Sequence, residues 1–317
     1  MKCLERLFFL GEKIETKSIK NSYESQELFY LNSNQILCRL CGSAAKVEFF
    51  TRILNRYDVT YYKCKDCELI QSEFPFWLQE AYEKAISILD TGIFLRNKDN
   101  VKKLTILLTD IQKQISKQNI GIMRLFQKVV PYQKKILDYG GGHGILVRLL
   151  RDVGFNCYWY DKYAKNDFAV GFEFDPDETY DTVLAFELFE HFENPKKDIK
   201  DILELAKPRI VIFSTLLYGN KTPKKNWWYY AFEAGQHIAF YNSKTLQSME
   251  FFTEYSTFSL AENLHLMVRK DLKLNLNSLK RSLRKFETRF STVRRLYNSK
   301  TFEDHIFLKH KIKDYSN

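Results

Sequence analysis

The stretch ILDYGGGHGILVRLL, Ile136 to Leu150, decides how this chain is read. Four of the chain's 12 glycines, Gly140, Gly141, Gly142 and Gly144, fall within five residues. An apolar run precedes them and an amphipathic run follows, so the segment reads as strand, bare turn and helix. Such a turn lets a ligand approach the backbone, and the helix N-terminus behind it carries about half a positive charge. A nucleoside triphosphate site would need Gly-Lys-Ser/Thr at its end. Here Ile145 and Leu146 follow Gly144, so that reading fails. A dinucleotide site wants a third glycine where this chain has Ile145, and it fits weakly.

Outward from the turn, strands and helices alternate over residues 134–270. FNCYWYD is a second strand, ending in Asp161, 21 residues after Gly140. In nucleotide-binding α/β units an acidic residue at about that offset reaches ribose hydroxyls. YDTVLAFE and PRIVIFST are further strands, with a helix from Pro195 to Ala206 between them. SKTLQSMEFF reads as a helix opened by Ser243, and TEYSTFSL and HLMVRK as a closing antiparallel pair. The predicted fold class is α/β, a doubly wound Rossmann-like sheet.

The motif Asp138-x-Gly140-x-Gly142-x-Gly144 resembles the first motif of class I S-adenosylmethionine-dependent methyltransferases. AFELFEHFENP, Ala185 to Pro195, resembles the E-x-x-E-H motif after the fourth strand of many such enzymes. Glu80 to Asn97 and Trp227 to Leu246 are similar to segments of bacterial methyltransferases that also carry an N-terminal four-cysteine module. The likeness covers about 35–270. It implies that S-adenosylmethionine is the cofactor, held by Asp138, Gly140, Gly141, Gly142, Gly144, Asp161 and Glu187. Asp138 would meet the ammonium directly or through water, and Asp161 the ribose. Glu190 is expected to start the following helix.

Cys38-x2-Cys41 and Cys64-x2-Cys67, 22 residues apart, have the spacing of a tetrahedral zinc site. Disulfides are the alternative reading, disfavoured for an intracellular chain. Four thiolates leave no open position, so the expected zinc is structural. Cys157, inside a strand, and Cys3, in the leader, are read as inert.

Methyl transfer needs an aligned acceptor and a base for its proton. Of six histidines, His305 and His310 lie in the tail and His265 opens a strand. His143 sits in the glycine turn, where it would line the cofactor. His191 and His237 follow strands on the side where doubly wound sheets bind ligands. They are the catalytic candidates, with Glu190. Glu187, Glu190, His191 and His237 together resemble the divalent-metal site of small-RNA 2′-O-methyltransferases, which implies a possible Mg or Mn there. Asp90, Arg96 and Asn97 are read as a lid hinge, substrate contacts or helix caps.

Five segments are expected: a leader (1–34), a zinc ribbon (35–74), a helical linker (75–133), the methyltransferase domain (134–270) and a basic amphipathic tail (271–317). The formal charge is +10, and residues 270–317 hold 13 Lys or Arg against 5 Asp or Glu, so the basicity belongs to the tail. Leu276, Leu279, Leu283, Phe286, Phe290, Val293 and Tyr297 give the tail a helical stripe, for core packing, dimerisation or surface docking. No apolar run approaches the roughly 18–20 residues of a membrane span, and LFFL near the N-terminus is too short for a signal core. A cytoplasmic location is expected. The favoured acceptor is a small metabolite, by resemblance a sugar or sugar-linked intermediate of surface polysaccharide synthesis. RNA, held by ribbon and tail through phosphates, is the first rival. A non-catalytic scaffold is the second.

Overall fold

The computed structural model describes residues 30–32, 34–82, 92–119, 132, 134–284 and 307. Two six-stranded sheets organise them. The first contains β6 (Ile136–Tyr139), β7 (Cys157–Tyr160), β8 (Thr182–Ala185) and β9 (Ile210–Phe213), all parallel. The hairpin of β11 (Tyr255–Ala261) and β12 (Leu264–Arg269) adds antiparallel to β9. The order is β11-β12-β9-β8-β6-β7, the doubly wound sheet expected from the alternating pattern.

Both faces of this sheet are covered, which is why its strands are apolar at successive positions. Leu137, Val183, Val211 and Phe213 share one core with Ile199 and Ile202 of α4 (Pro195–Ala206) and with Ile36 and Leu40 from the cysteine region. Ile136, Leu184, Ile212 and Leu266 face the other way. There they pack with Leu104, Leu108 and Ile111 of α2 (Ile93–Asn119) and with Leu146 and Leu150 of α3 (Ile145–Asp152). α2 and the short α1 (Leu78–Ala81) lie within the helical linker expected over 75–133, and the apolar stripe of α2 is buried against this sheet.

The alternation breaks once. No helix joins β7 to β8; residues 161–181 run as loop, with a single bridge from Trp159 to Glu173. The segment DKYAKNDFAVGFEFDPDETY is dense in Asp, Asn, Gly and Pro, which favour turns over helix. Asn194 caps α4, with Pro195 in its first turn. α5 (Ser243–Gln247) is capped by Asn242 rather than opened by Ser243, in a box closed by Thr245.

The second sheet holds β1 (Tyr30–Asn32), β2 (Gln35–Leu37), β3 (Ala44–Ile53), β4 (Tyr57–Cys64) and β5 (Ile70–Ser72), all antiparallel. Its sixth strand is β10 (Ala239–Phe240), which pairs with β5 although it comes from between β9 and β11 in the chain. The Trp77 indole donates to the Gly235 carbonyl, and the Thr245 hydroxyl to that of Cys67. The cysteine region and the parallel sheet therefore share one body of packing.

Of the tail, α6 (Leu276–Arg284) is described. Leu279 is fully buried, and Leu276 and Leu283 pack on the same core as α2. The stripe serves core packing this far; its continuation through Phe286, Phe290, Val293 and Tyr297 lies outside the described residues, as do Cys3, Asp90, His305 and His310. Among the described residues no helix is long and apolar enough to cross a membrane.

Candidate active site

The turn after β6 folds as strand–turn–helix, but its glycines answer mainly to their own chain. Gly140, Gly142 and Gly144 have φ of +76°, +54° and +85°, where a Cβ is strained. A Cβ on Gly141 would lie 2.8 Å from Trp159, and one on Gly144 2.8 Å from Asn166 and 2.9 Å from Ala169. One on Gly140 would press Leu188 at 3.0 Å. Beside Gly142 nothing lies within 4 Å. Of the four, Gly142 is the one whose missing side chain leaves open space, as a nucleoside lying on the backbone requires.

Asp161 closes this turn. Its Oδ2 accepts from the Gly142 amide at 2.9 Å, while its Oδ1 accepts from the amides of Tyr163 and Ala164. A carboxylate has about four lone-pair sites, so hydroxyls can still reach it. Asp138 is buried beneath the turn. Burial, and then the charge of Asp161, push its carboxyl up to about 7. His143 turns to Asp167, its Nδ1 2.6 Å from Oδ2.

The chain beyond β8 brings the second group together. Glu187 holds a left-handed φ of +49°. Its amide donates to the Ser214 hydroxyl at 2.7 Å, and that hydroxyl donates back to its Oε1 at 2.6 Å. Glu187 and Ser214 line a cavity beneath the first turns of α2, with Arg96, Asp99, Lys103 and Asn263. Arg96 is thus a lining residue. Asn97 lies one turn inside α2, where its side-chain amide donates to the Ile93 carbonyl instead of capping the helix.

Glu190 does not start the following helix. It sits in a 3-10 turn, Phe189–His191, wholly buried, because Asn194 and Pro195 begin α4 four residues later. Among the described residues neither of its carboxylate oxygens has a hydrogen-bond partner. Burial, then the charge of Glu187, raise its pKa to about 8.

His191 and His237 meet beside it. His237 Nδ1 lies 2.6 Å from the Tyr229 carbonyl, and His191 Nδ1 lies 3.1 Å from the Gln236 carbonyl and 2.9 Å from the Tyr82 hydroxyl. A carbonyl can only accept, so His237 carries its proton on Nδ1 and leaves Nε2 bare, whereas the His191 Nδ1 faces both a carbonyl and a hydroxyl that can give or take a proton. Burial lowers both pKa values, that of His191 to about 3 with help from His237. Glu190, His191 and His237 each bring a ligand atom within 4.8 Å of the other two. Glu187, expected in this set, stands outside it and holds Ser214 instead.

Cys38, Cys41, Cys64 and Cys67 converge as their spacing predicts, each sulfur within 4.8 Å of the others. The pairs Cys38–Cys67 and Cys41–Cys64 lie 3.5 Å apart, and all four are free thiols rather than disulfides. A zinc tetrahedron with Zn–S bonds of about 2.3 Å has sulfurs about 3.8 Å apart. The residues therefore fit zinc, which would find four ligands and no vacant position. Cys157 is buried in β7, in keeping with an inert thiol.

Sequence reasoning missed Tyr82, Tyr229, Ser214 and Gln236. Tyr82 stacks on Tyr163 with centroids 6.1 Å apart and reaches His191, so it spans from the Asp161 loop to the histidine pair. The signal available was the aromatic run WWYYAF, which marked the segment but not these contacts.

Residues 112–249 match a family described as Methyltransferase domain. No curated protein matches the chain in sequence. Among solved structures it is similar to CalO1, a methyltransferase in calicheamicin biosynthesis, at 11% identity over 60% of each chain, with a TM-score of 0.35. It is also similar to magnesium protoporphyrin IX methyltransferase from Synechocystis PCC 6803, at 14% identity over 62% of this chain and 96% of that one, with a TM-score of 0.34. The plantazolicin methyltransferase BpumL aligns at 13% identity over 62% and 95%, with a TM-score of 0.36. The sequence likeness is thus to a methyltransferase domain, over 138 of the chain's 317 residues.

Proposed function

We propose that this chain methylates a small metabolite, a sugar or sugar-linked intermediate of surface polysaccharide synthesis, using S-adenosylmethionine. The observation that carries the reading is the bare Nε2 of His237, with the His191 ring packed against it past the end of β8. Bound in the cleft, S-adenosylmethionine supplies an electrophilic methyl group on a sulfonium. The open backbone at Gly142 and the carboxylate of Asp161 hold the nucleoside, with Asp138 under the turn. Glu187, fixed by Ser214, and Arg96 line the space where the acceptor lies.

The donor's sulfonium would yield the methyl group to the acceptor's lone pair and keep the C–S electron pair as a neutral thioether, while the chain's own residues align the acceptor. The acceptor's proton passes to Nε2 of His237. His191, pushed to about 3, is too weak a base and orients the acceptor. Alignment contributes about 7–11 kcal/mol, and the base about 10²–10⁴-fold. The buried knuckle of the ribbon favours a small acceptor over RNA: Cys38, Arg39 and Leu40 are all covered. Incubation with methyl-labelled donor and a panel of nucleotide sugars tests this. Label should pass to a sugar, and not to RNA.

Glu190 favours a second reading. An orphaned buried carboxylate beside two neutral imidazoles is a donor set for a divalent cation. Two nitrogens suit Mn, Zn or Fe better than the Mg also expected from the sequence. Glu190, His191 and His237 would hold such an ion, which would acidify an acceptor hydroxyl. Metal analysis of the purified chain would then return two metal equivalents, and Glu190→Gln would return one.

A further inference from the structure

Arg39 occupies the x2 position of the first cysteine knuckle, yet it points inward and is 7% exposed. Its Nη2 donates to the Ser72 carbonyl at 3.1 Å and to the Ile238 carbonyl at 3.3 Å. The same Ile238 carbonyl accepts the Ser72 amide at 3.0 Å, and the Ile238 amide donates to the Glu190 carbonyl at 2.8 Å. One residue earlier, the hydroxyl of Tyr61, fully buried in β4, donates to the His237 carbonyl at 3.1 Å. Two ribbon side chains thus grip two consecutive carbonyls, and the first of these residues is the candidate base.

We propose that Arg39 and Tyr61 are positioning residues, through which the four-cysteine ribbon fixes the backbone at His237 and so the direction of its imidazole. The chemistry supports this. A hydrogen bond from a guanidinium is roughly twice as strong as a neutral one. Four thiolates around one Zn²⁺ carry a net charge of two minus, so a loaded knuckle favours a cation beside Cys38. Tyr61 is braced by stacking on Phe49, with centroids 5.0 Å apart. With Ile238 pinned by Arg39 and β5, and His237 by Tyr61, the ring has one approach to the Tyr229 carbonyl, which sets its tautomer. The ribbon thereby does more than cover the sheet; it is the scaffold of the histidine site.

The inference rests on the reading of His237 as the base, but its test does not need turnover. The full zinc-loaded chain, labelled with ¹⁵N-histidine, is compared by NMR with Arg39→Lys and Tyr61→Phe. Lysine keeps the charge but loses the planar fork; phenylalanine keeps the stacking but loses the donor. In the wild type His237 should show a single Nδ1–H tautomer. In both variants, with one zinc still bound at the cysteines, the Nε2–H form should appear and the ring should titrate at higher pH. A His237 spectrum unchanged in Tyr61→Phe, or in an Arg39→Lys chain that keeps its zinc, overturns the proposal. Should Arg39→Lys fail to fold, Tyr61→Phe decides alone. Loss of methyl transfer in His237→Asn tests the underlying reading separately.

Discussion

The imidazoles of His191 and His237 meet edge to face, their centroids 4.8 Å apart and their planes at 88°. Burial disfavours charge on both rings, and a charge on His237 would further oppose one on His191. His237→Asn should lower the turnover rate by about 10²–10⁴-fold and leave S-adenosylmethionine affinity, read by calorimetry, unchanged. Equal loss of turnover and cofactor binding would remove the histidine from the acceptor side.

The same depression sets the pH profile. The base works unprotonated, and its folded pKa lies below the ordinary 6.5. The acid limb of methyl transfer should therefore be centred below pH 6.5. A limb centred at or above 6.5 would point to another base.

Glu190 and His191 pull stability in opposite directions. The His191 pKa is depressed on folding, so its contribution is complete above pH 6.5 and is lost as pH falls from there toward 3. That of Glu190 is raised, so its contribution is complete below pH 4.5 and is lost as pH rises toward 8. In a chain with zinc at the cysteines alone, Glu190→Gln should melt progressively higher than wild type from pH 5 to pH 8. The gain should be on the order of a few kcal/mol. If Glu190 ligates a cation, the substitution should instead lower the melting temperature at pH 8.

The glycines of the turn should separate in their effects. Gly144→Ala forces a Cβ against Asn166 and Ala169 and should cost about 1–3 kcal/mol of stability. Gly142→Ala meets open space and should cost less in melting temperature while weakening S-adenosylmethionine binding. Paired melts and calorimetry on the two variants check this.

Cys38→Ser should abolish the zinc equivalent at the ribbon. A site of this kind holds on the order of 10 kcal/mol of apparent binding energy. Because Cys38 and Val183 share one core, the loss should spread to the parallel sheet and lower a single melting transition. Two separate transitions would mean that the ribbon folds independently.

Much of this was legible in the chain because its signals are local. The Asp138–Gly144 turn, the strand ending at Asp161, the capped start of α4 and the cysteine spacing each declare themselves within a few residues. What was hidden is long-range. Nothing near Ala239 announces that it pairs with Gln71 of the ribbon, and nothing near Arg39 announces its bond to Ile238. Glu190 was misjudged because E-x-x-E-H fixes a spacing and not a direction; burial of the 3-10 turn turned its carboxylate inward. The glycines were read as making room for a ligand, whereas Trp159, Asn166 and Leu188 claim most of that room.

The central claim is that the methyl donor lies between Asp161 and the histidine pair. A crystal structure of the full chain with S-adenosylhomocysteine tests it most directly. The account predicts the ribose on Asp161, the adenosyl group along Gly142, and the thioether sulfur directed toward Glu187 and His237. An empty glycine turn, or a sulfur directed away from His191 and His237, would contradict it.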